Sequence, residues 1–141
     1  MKKAILLALA VMLAVFTGCS AGESTPSEDV QVRSHSETSA YEQITQDEAR
    51  RIMSEEEDII ILDVRTQEEF DEGHIPGAVC LPNETIGTVS PEILPDKQQT
   101  ILVYCRSGRR SKEASEKLAA LGYTAGKEFG GIIDWTGDTE K

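Results

Sequence analysis

The chain has 141 residues, with 14 Lys and Arg against 25 Asp and Glu, for a net charge of −11. That length admits one ordinary domain and excludes two, and a hydrophobic content of 39% excludes global disorder. The acidic balance and an aromatic content of only 5% exclude nucleic-acid binding as the main role, which calls for a basic footprint and stacking rings.

In chain order, residues 1–18 read as a targeting segment. Met1-Lys2-Lys3 is a basic start, and Ala4 to Phe16 is unbroken apolar sequence. The run falls short of the about 20 residues a bilayer span needs and fits a secretory h-region. Thr17-Gly18-Cys19 follows, and the segment resembles the bacterial lipobox, with Phe16 where that pattern usually carries Leu, Val or Ile. The resemblance implies lipidation of Cys19, attachment to a bacterial membrane and an extracytoplasmic location. An ordinary signal peptide with an incidental cysteine is the plainer alternative. Loss of Lys2 and Lys3 would leave the mature chain two charges more negative. Residues 19–40 are rich in Ser, Thr and acidic residues, with Val30 and Val32 as the only bulky aliphatics. They cannot bury enough surface to offset ordering and are expected to form a tether.

The domain is expected over 41–137, with 138–141 as a tail. Thr45-x-x-Glu48 is a capping-box pattern that opens a helix through about Met53. Ile59 to Leu62 is a continuous β-branched run, as in a strand buried on both faces. Thr66-x-x-Glu69 is a second capping box, starting a short helix towards Glu72. Ala78 to Leu81 reads as a strand stopped by Pro82, and Pro91 to Leu94 as a short helical turn. Thr100 to Tyr104 is the clearest strand after the first. Ser111 to Leu121 carries Ala114, Leu118 and Leu121 on one face, with Gly122 as its stop. A last strand is expected near Thr124 to Phe129. Strands alternating with helices predict an α/β domain with a mainly parallel sheet.

The three cysteines are far apart and contain no C-x-x-C pair, so a zinc ribbon and a thioredoxin-type motif are poor fits. Cys105 follows a predicted buried strand, and a helix begins six residues later. Such a turn aims backbone N–H groups and the positive end of the helix dipole at whatever it encloses. A thiolate held there has a lowered pKa and is a good nucleophile. Gly108 can take a positive φ and let the loop curl around an anion. Arg106, Arg109 and Arg110 are three of the ten Lys and Arg within 41–137. An acidic protein that gathers cations beside one cysteine is built to handle an anion. A buried, inert cysteine beside solvated arginines is the bland alternative.

Cys105-Arg106-Ser107-Gly108-Arg109-Arg110-Ser111 resembles the C-R-x-G-x-R-[ST] loop of rhodanese-type sulfurtransferases. Phe70-x-x-x-His74-Ile75-Pro76-Gly77-Ala78-x-x-Leu81 matches the family's other signature. Leu62-Asp63-Val64-Arg65 matches the segment before it, and Phe129-Gly130-Gly131-Ile132-x-x-Trp135 its C-terminal end. The resemblance implies a single rhodanese-like domain, a five-stranded, mostly parallel sheet flanked by helices. It implies a double displacement in which Cys105 takes the outer sulfur of an anionic donor such as thiosulfate and passes it to cyanide or a thiol. Arg106, Ser107, Gly108, Arg109, Arg110 and Ser111 would bind the donor and cradle the persulfide. No metal or organic cofactor is required, and a monomer is expected. The spacing C-x4-R is one residue shorter than the C-x5-R of related dual-specificity phosphatases, so the pocket should suit sulfur better than phosphate.

His74 is expected in turn or core packing beside Pro76 and Gly77. Asp63 and Arg65 fall at the ligand-binding edge of the sheet, as loop-orienting groups or as a plain ion pair. Trp135 is expected in the core. Cys80 is read as a small buried hydrophobe or as a resolving thiol for Cys105, which would require Cα atoms within about 7 Å. Two alternatives to the enzyme therefore stand: a non-catalytic binding or sulfur-carrier module, and a thiol-redox protein using Cys80 and Cys105.

Overall fold

A computed structural model describes residues 40–141. The targeting segment, Cys19 and most of the tether lie outside the described residues. Five strands form one sheet: β1 (Glu42–Gln43), β2 (Ile59–Asp63), β3 (Val79–Cys80), β4 (Thr100–Cys105) and β5 (Gly126–Gly131). Three helices accompany them: α1 (Gln46–Glu55), α2 (Gln67–Glu72) and α3 (Arg109–Ala120). The order across the sheet is β1-β5-β4-β2-β3, and every strand pair is parallel. The expected five-stranded α/β sheet flanked by helices is what the chain forms.

Central β4 explains the two-sided core. Ile101, Val103 and Cys105 point into one cluster with Ala114 and Leu118 of α3. Leu102 and Tyr104 point into the other, with Ala49 and Ile52 of α1 and Phe129 of β5. Period-2 alternation along a strand covered on both faces produces this split, and it sends the Cys105 side chain towards α3.

Several local expectations are corrected. The Thr45 pattern is only half a capping box: the Thr45 hydroxyl accepts the Glu48 N–H, with no return bond from Glu48. Thr66 and Glu69 form both halves. Pro91 to Leu94 forms the expected single turn, closed by Leu94 N to Pro91 O at 3.0 Å. Helix α3 begins two residues before Ser111, because Gly108 takes φ +98° and serves as its N-cap. Its other end is a Schellman motif: Tyr123 N–H bonds Leu118 O at 3.1 Å and Gly122 N–H bonds Ala119 O at 2.9 Å, with Gly122 at φ +92°. Strand β1 has no counterpart in the sequence reading, since two exposed residues carry no periodicity. The 138–141 segment is docked: Glu140 bridges His74 and accepts the Gly77 N–H at 3.0 Å.

Candidate active site

Cys105 ends β4 and is 1% exposed. Its Sγ accepts the Gly108 N–H at 3.1 Å and lies 3.5 Å from Ser111 Oγ. Burial pushes the thiol up, but the Ser111 hydroxyl and the backbone N–H groups of Ser111, Gly108 and Ser107 outweigh it, and the net shift is downward. Those groups belong to the curl at 106–108 and the first turn of α3, whose dipole points its positive end at the sulfur. The arrangement is an anion cradle closed around the Cys105 sulfur.

The three arginines do not act alike. Arg110 makes a two-pronged ion pair with Glu69 of α2 at 2.6 and 2.8 Å. That pairing, aided by the Thr66 N–H, holds the Glu69 carboxyl down at about 2 despite partial burial. Arg109 is 79% exposed and reaches only Glu113, at 3.4 Å. Arg106 is exposed, as is Ser107. The cation density seen in the sequence thus divides into one latch, Arg110, and two solvent-facing guanidiniums.

Two glycines make room for the curl. Strand β5 slips by one residue against β4, so that Val103 stands opposite Glu128 but Cys105 opposite Gly131. The bulge uses Gly130 at φ +94°. A Cβ on Gly131 would stand 2.1 Å from the Arg106 carbonyl oxygen. The pair Gly130-Gly131 is therefore dictated by backbone shape and by close approach. Gln46 of α1 ties this corner down by donating to the Gly131 carbonyl at 2.9 Å.

Asp63 and Arg65 form a buried ion pair at 2.6 Å, and Arg65 also donates to Gly73 O. They are structural, bracing the end of β2. His74 stacks on Phe70 with ring centroids 3.7 Å apart, and its Nδ1 lies 3.0 Å from Phe70 O. Trp135 is half-buried against Phe129. Cys80 stands opposite Asp63, which stands opposite Tyr104. Two strand spacings, about 9–10 Å, therefore separate β3 from β4 beside Cys105. That exceeds the disulfide limit of about 7 Å, so Cys80 is not poised to resolve Cys105. Burial also pushes the Cys80 thiol up. A cavity of about 480 Å³ at the other end of the sheet, lined by residues 40–42 and 124–127, contains none of the loop.

The sequence reading missed Glu128. It is 3% exposed on β5, and its Oε1 accepts from Ser111 Oγ at 2.6 Å and from Gly130 N–H at 2.9 Å. The available signal was the adjacent charged pair Lys127-Glu128 inside the last strand, with Glu128 two positions before the double glycine.

A parallel α/β sheet with a cradled thiol at the C-terminal end of its central strand defines a class of cysteine-loop enzymes and binding domains. Residues 45–137 match the Rhodanese-like domain family, and the chain belongs to it. Thiosulfate sulfurtransferase PspE of Escherichia coli is 37% identical over 73 residues, covering 52% of this chain and 70% of that protein. A sulfurtransferase of Allochromatium vinosum is 38% identical over 84 residues, covering 59% of this chain and 77% of its own. A solved rhodanese with anions from E. coli superposes with a TM-score of 0.53 at 34% identity, over 59% of this chain and 98% of that one.

Proposed function

We propose that the protein is a sulfurtransferase that carries a sulfane sulfur on Cys105. The observation that carries this reading is the buried Cys105 sulfur ringed by the N–H groups of Ser107, Gly108 and Ser111. In the first half-reaction the Cys105 thiolate attacks the outer sulfur of an anionic donor such as thiosulfate. The S–S bond of the donor breaks, sulfite leaves with the bonding pair, and a Cys105 persulfide forms. In the second half-reaction cyanide or a thiol attacks the outer sulfur, and the Cys105 thiolate departs. The same N–H groups serve thiolate and persulfide, because both present an anionic sulfur to one curl of backbone. Arg106 and Arg109, free of buried partners, supply the positive field that draws a dianionic donor towards an acidic protein. Relatives named as sulfurtransferases support the reaction type. The lipobox-like Cys19 supports an extracytoplasmic, membrane-anchored setting.

The purified domain should gain one sulfur atom on Cys105 after thiosulfate treatment, seen by intact-mass spectrometry, and then release thiocyanate when cyanide is added. Absence of both products would falsify the reading. Cys80→Ser should leave thiocyanate formation within about twofold of the parent, since small-for-small replacement at a half-buried site is mild. Loss of activity in that variant would restore the thiol-redox alternative.

A further inference from the structure

Of the three loop arginines, Arg106 and Arg109 are exposed and Arg110 is folded back onto the protein, with 16% of its side chain in solvent. Arginine is the side chain best suited to clamp an oxyanion, because its planar fork offers two parallel N–H donors. Here that fork is taken. Arg110 Nη1 and Nη2 donate to the two carboxylate oxygens of Glu69 at 2.6 and 2.8 Å. Glu69 is itself held in place at the start of α2. Its N–H donates to Thr66 Oγ1 at 3.3 Å, and its carboxylate accepts the Thr66 N–H at 3.1 Å. A braced carboxylate thus meets the one half-buried guanidinium of the loop. Arg110 also acts on the sulfur, since the Cys105 charge helps keep its guanidinium protonated.

Resting on the reading of Cys105 as a sulfur carrier, we propose that Glu69 determines the anion specificity of the site by neutralising Arg110. With the pair closed, the cradle presents the backbone N–H groups and the Ser111 hydroxyl, which suit the single charge of a thiolate or persulfide. It withholds the fork that would grip a second charge. Doubly charged oxyanions such as sulfate, phosphate and sulfite are therefore held weakly. The weak hold serves turnover, because sulfite is the leaving group of the first half-reaction and must clear the mouth before the acceptor enters. A thiosulfate donor is drawn in by the exposed Arg106 and Arg109 and is not locked down by Arg110.

The surrounding charges leave the pair intact. Arg65 attracts Glu69 from the end of β2, but its guanidinium is tied to Asp63 and to the Gly73 carbonyl. Glu84 attracts Arg110 less strongly than Glu69 does. Arg109 is turned out to Glu113. Glu128 accepts from Ser111 and from the Gly130 N–H instead.

Glu69→Gln keeps the side-chain length, keeps an acceptor for the Thr66 N–H and uncovers one positive charge. Alkylation of Cys105, read at that residue by peptide mass, is followed with anionic iodoacetate and with neutral iodoacetamide. The two reagents share their chemistry, so the ratio of their rates reports charge and cancels any change in the acidity of Cys105. In the variant the iodoacetate to iodoacetamide ratio should rise about threefold, the scale of one unit charge acting on another across a wet mouth. Sulfate, with two charges, should protect Cys105 from iodoacetamide at about tenfold lower concentration than in the parent. If Glu69 only braces the loop, both reagents change by the same factor and sulfate protects no better; either result overturns the proposal. The double variant Glu69→Gln, Arg110→Gln leaves no charge unpaired and decides the matter should the single variant fail to fold. Its ratio should match the parent's, and a lower one would mean that Arg110 draws the anion despite Glu69, which overturns the proposal. Neither measurement requires sulfur transfer, so failure to make thiocyanate would sink the sulfurtransferase reading separately.

Discussion

Cys105 works because of what points at it. Its thiol sits below the ordinary range despite burial, so the rate of sulfur uptake should rise with pH through a midpoint below that of a free cysteine and then level off. A midpoint at or above that of a free cysteine would show the cradle does not hold the thiolate. Gly131 is equally constrained, by space rather than charge. Gly131→Ala drives a methyl into the Arg106 carbonyl, and relief requires moving the loop. The expected cost is about 1–3 kcal/mol in stability, read by chemical denaturation, together with a loss of thiocyanate formation out of proportion to it. At this scale the sequence was most legible for Cys105, Gly108 and Ser111, whose spacing already encodes a curl. It was least legible for Glu128, because two adjacent charges in a strand, Lys127 and Glu128, do not announce which of them faces the interior.

At the scale of elements, the link between α2 and the start of α3 stands out. Arg110 and Glu69 are 41 residues apart and join in a two-pronged, half-buried pair. Glu69 titrates near 2 in the fold against an ordinary 4.5. A carboxylate with a depressed folded pKa contributes stability above its unfolded value and loses it as pH falls through the folded one. The parent should therefore lose stability between about pH 4.5 and 2 through this group, and Glu69→Gln should show a flatter acid profile over that window. At neutral pH the variant should be less stable by about 1–2 kcal/mol, a figure set by the pair's partial exposure and good geometry. Thermal melts across the window would test this, and parallel profiles would discount the pair. The sequence marked both ends of this link, Thr66-x-x-Glu69 as a cap and Arg110 as an anion binder. It could not join them, since a cap residue and a loop residue share no periodic signal. The same ion pair moves Arg110 from expected donor-holder to latch.

At the scale of the whole molecule, the proposed anchor at Cys19 and the cationic loop belong to separate parts of the chain. If Cys19 carries the anchor, Cys19→Ser should release the protein from the membrane fraction while the domain keeps its thiocyanate yield within about twofold, because Cys19 lies outside residues 45–137 that match the family. Mass spectrometry of the parent should find acyl chains on Cys19. An unmodified Cys19, or a variant that still sediments with membrane, removes the anchoring proposal.

By itself the sequence determined the α/β class, the strands β2, β3, β4 and β5, both capping sites, the helix stop at Gly122 and the loop that follows Cys105. Each rests on local chemistry: periodicity of 2 or 3.6, a cap residue at fixed offset, a glycine where φ turns positive. Only the tertiary structure decided what depends on strand order and register. The sheet order set Cys80 two strands from Cys105 and so separated two thiols that the sequence left open to pairing. The one-residue slip between β4 and β5 set Gly131 against the loop, and the register before it put Glu128 behind Ser111. Non-local pairing is fixed by how faces pack, and no spacing along the chain records it.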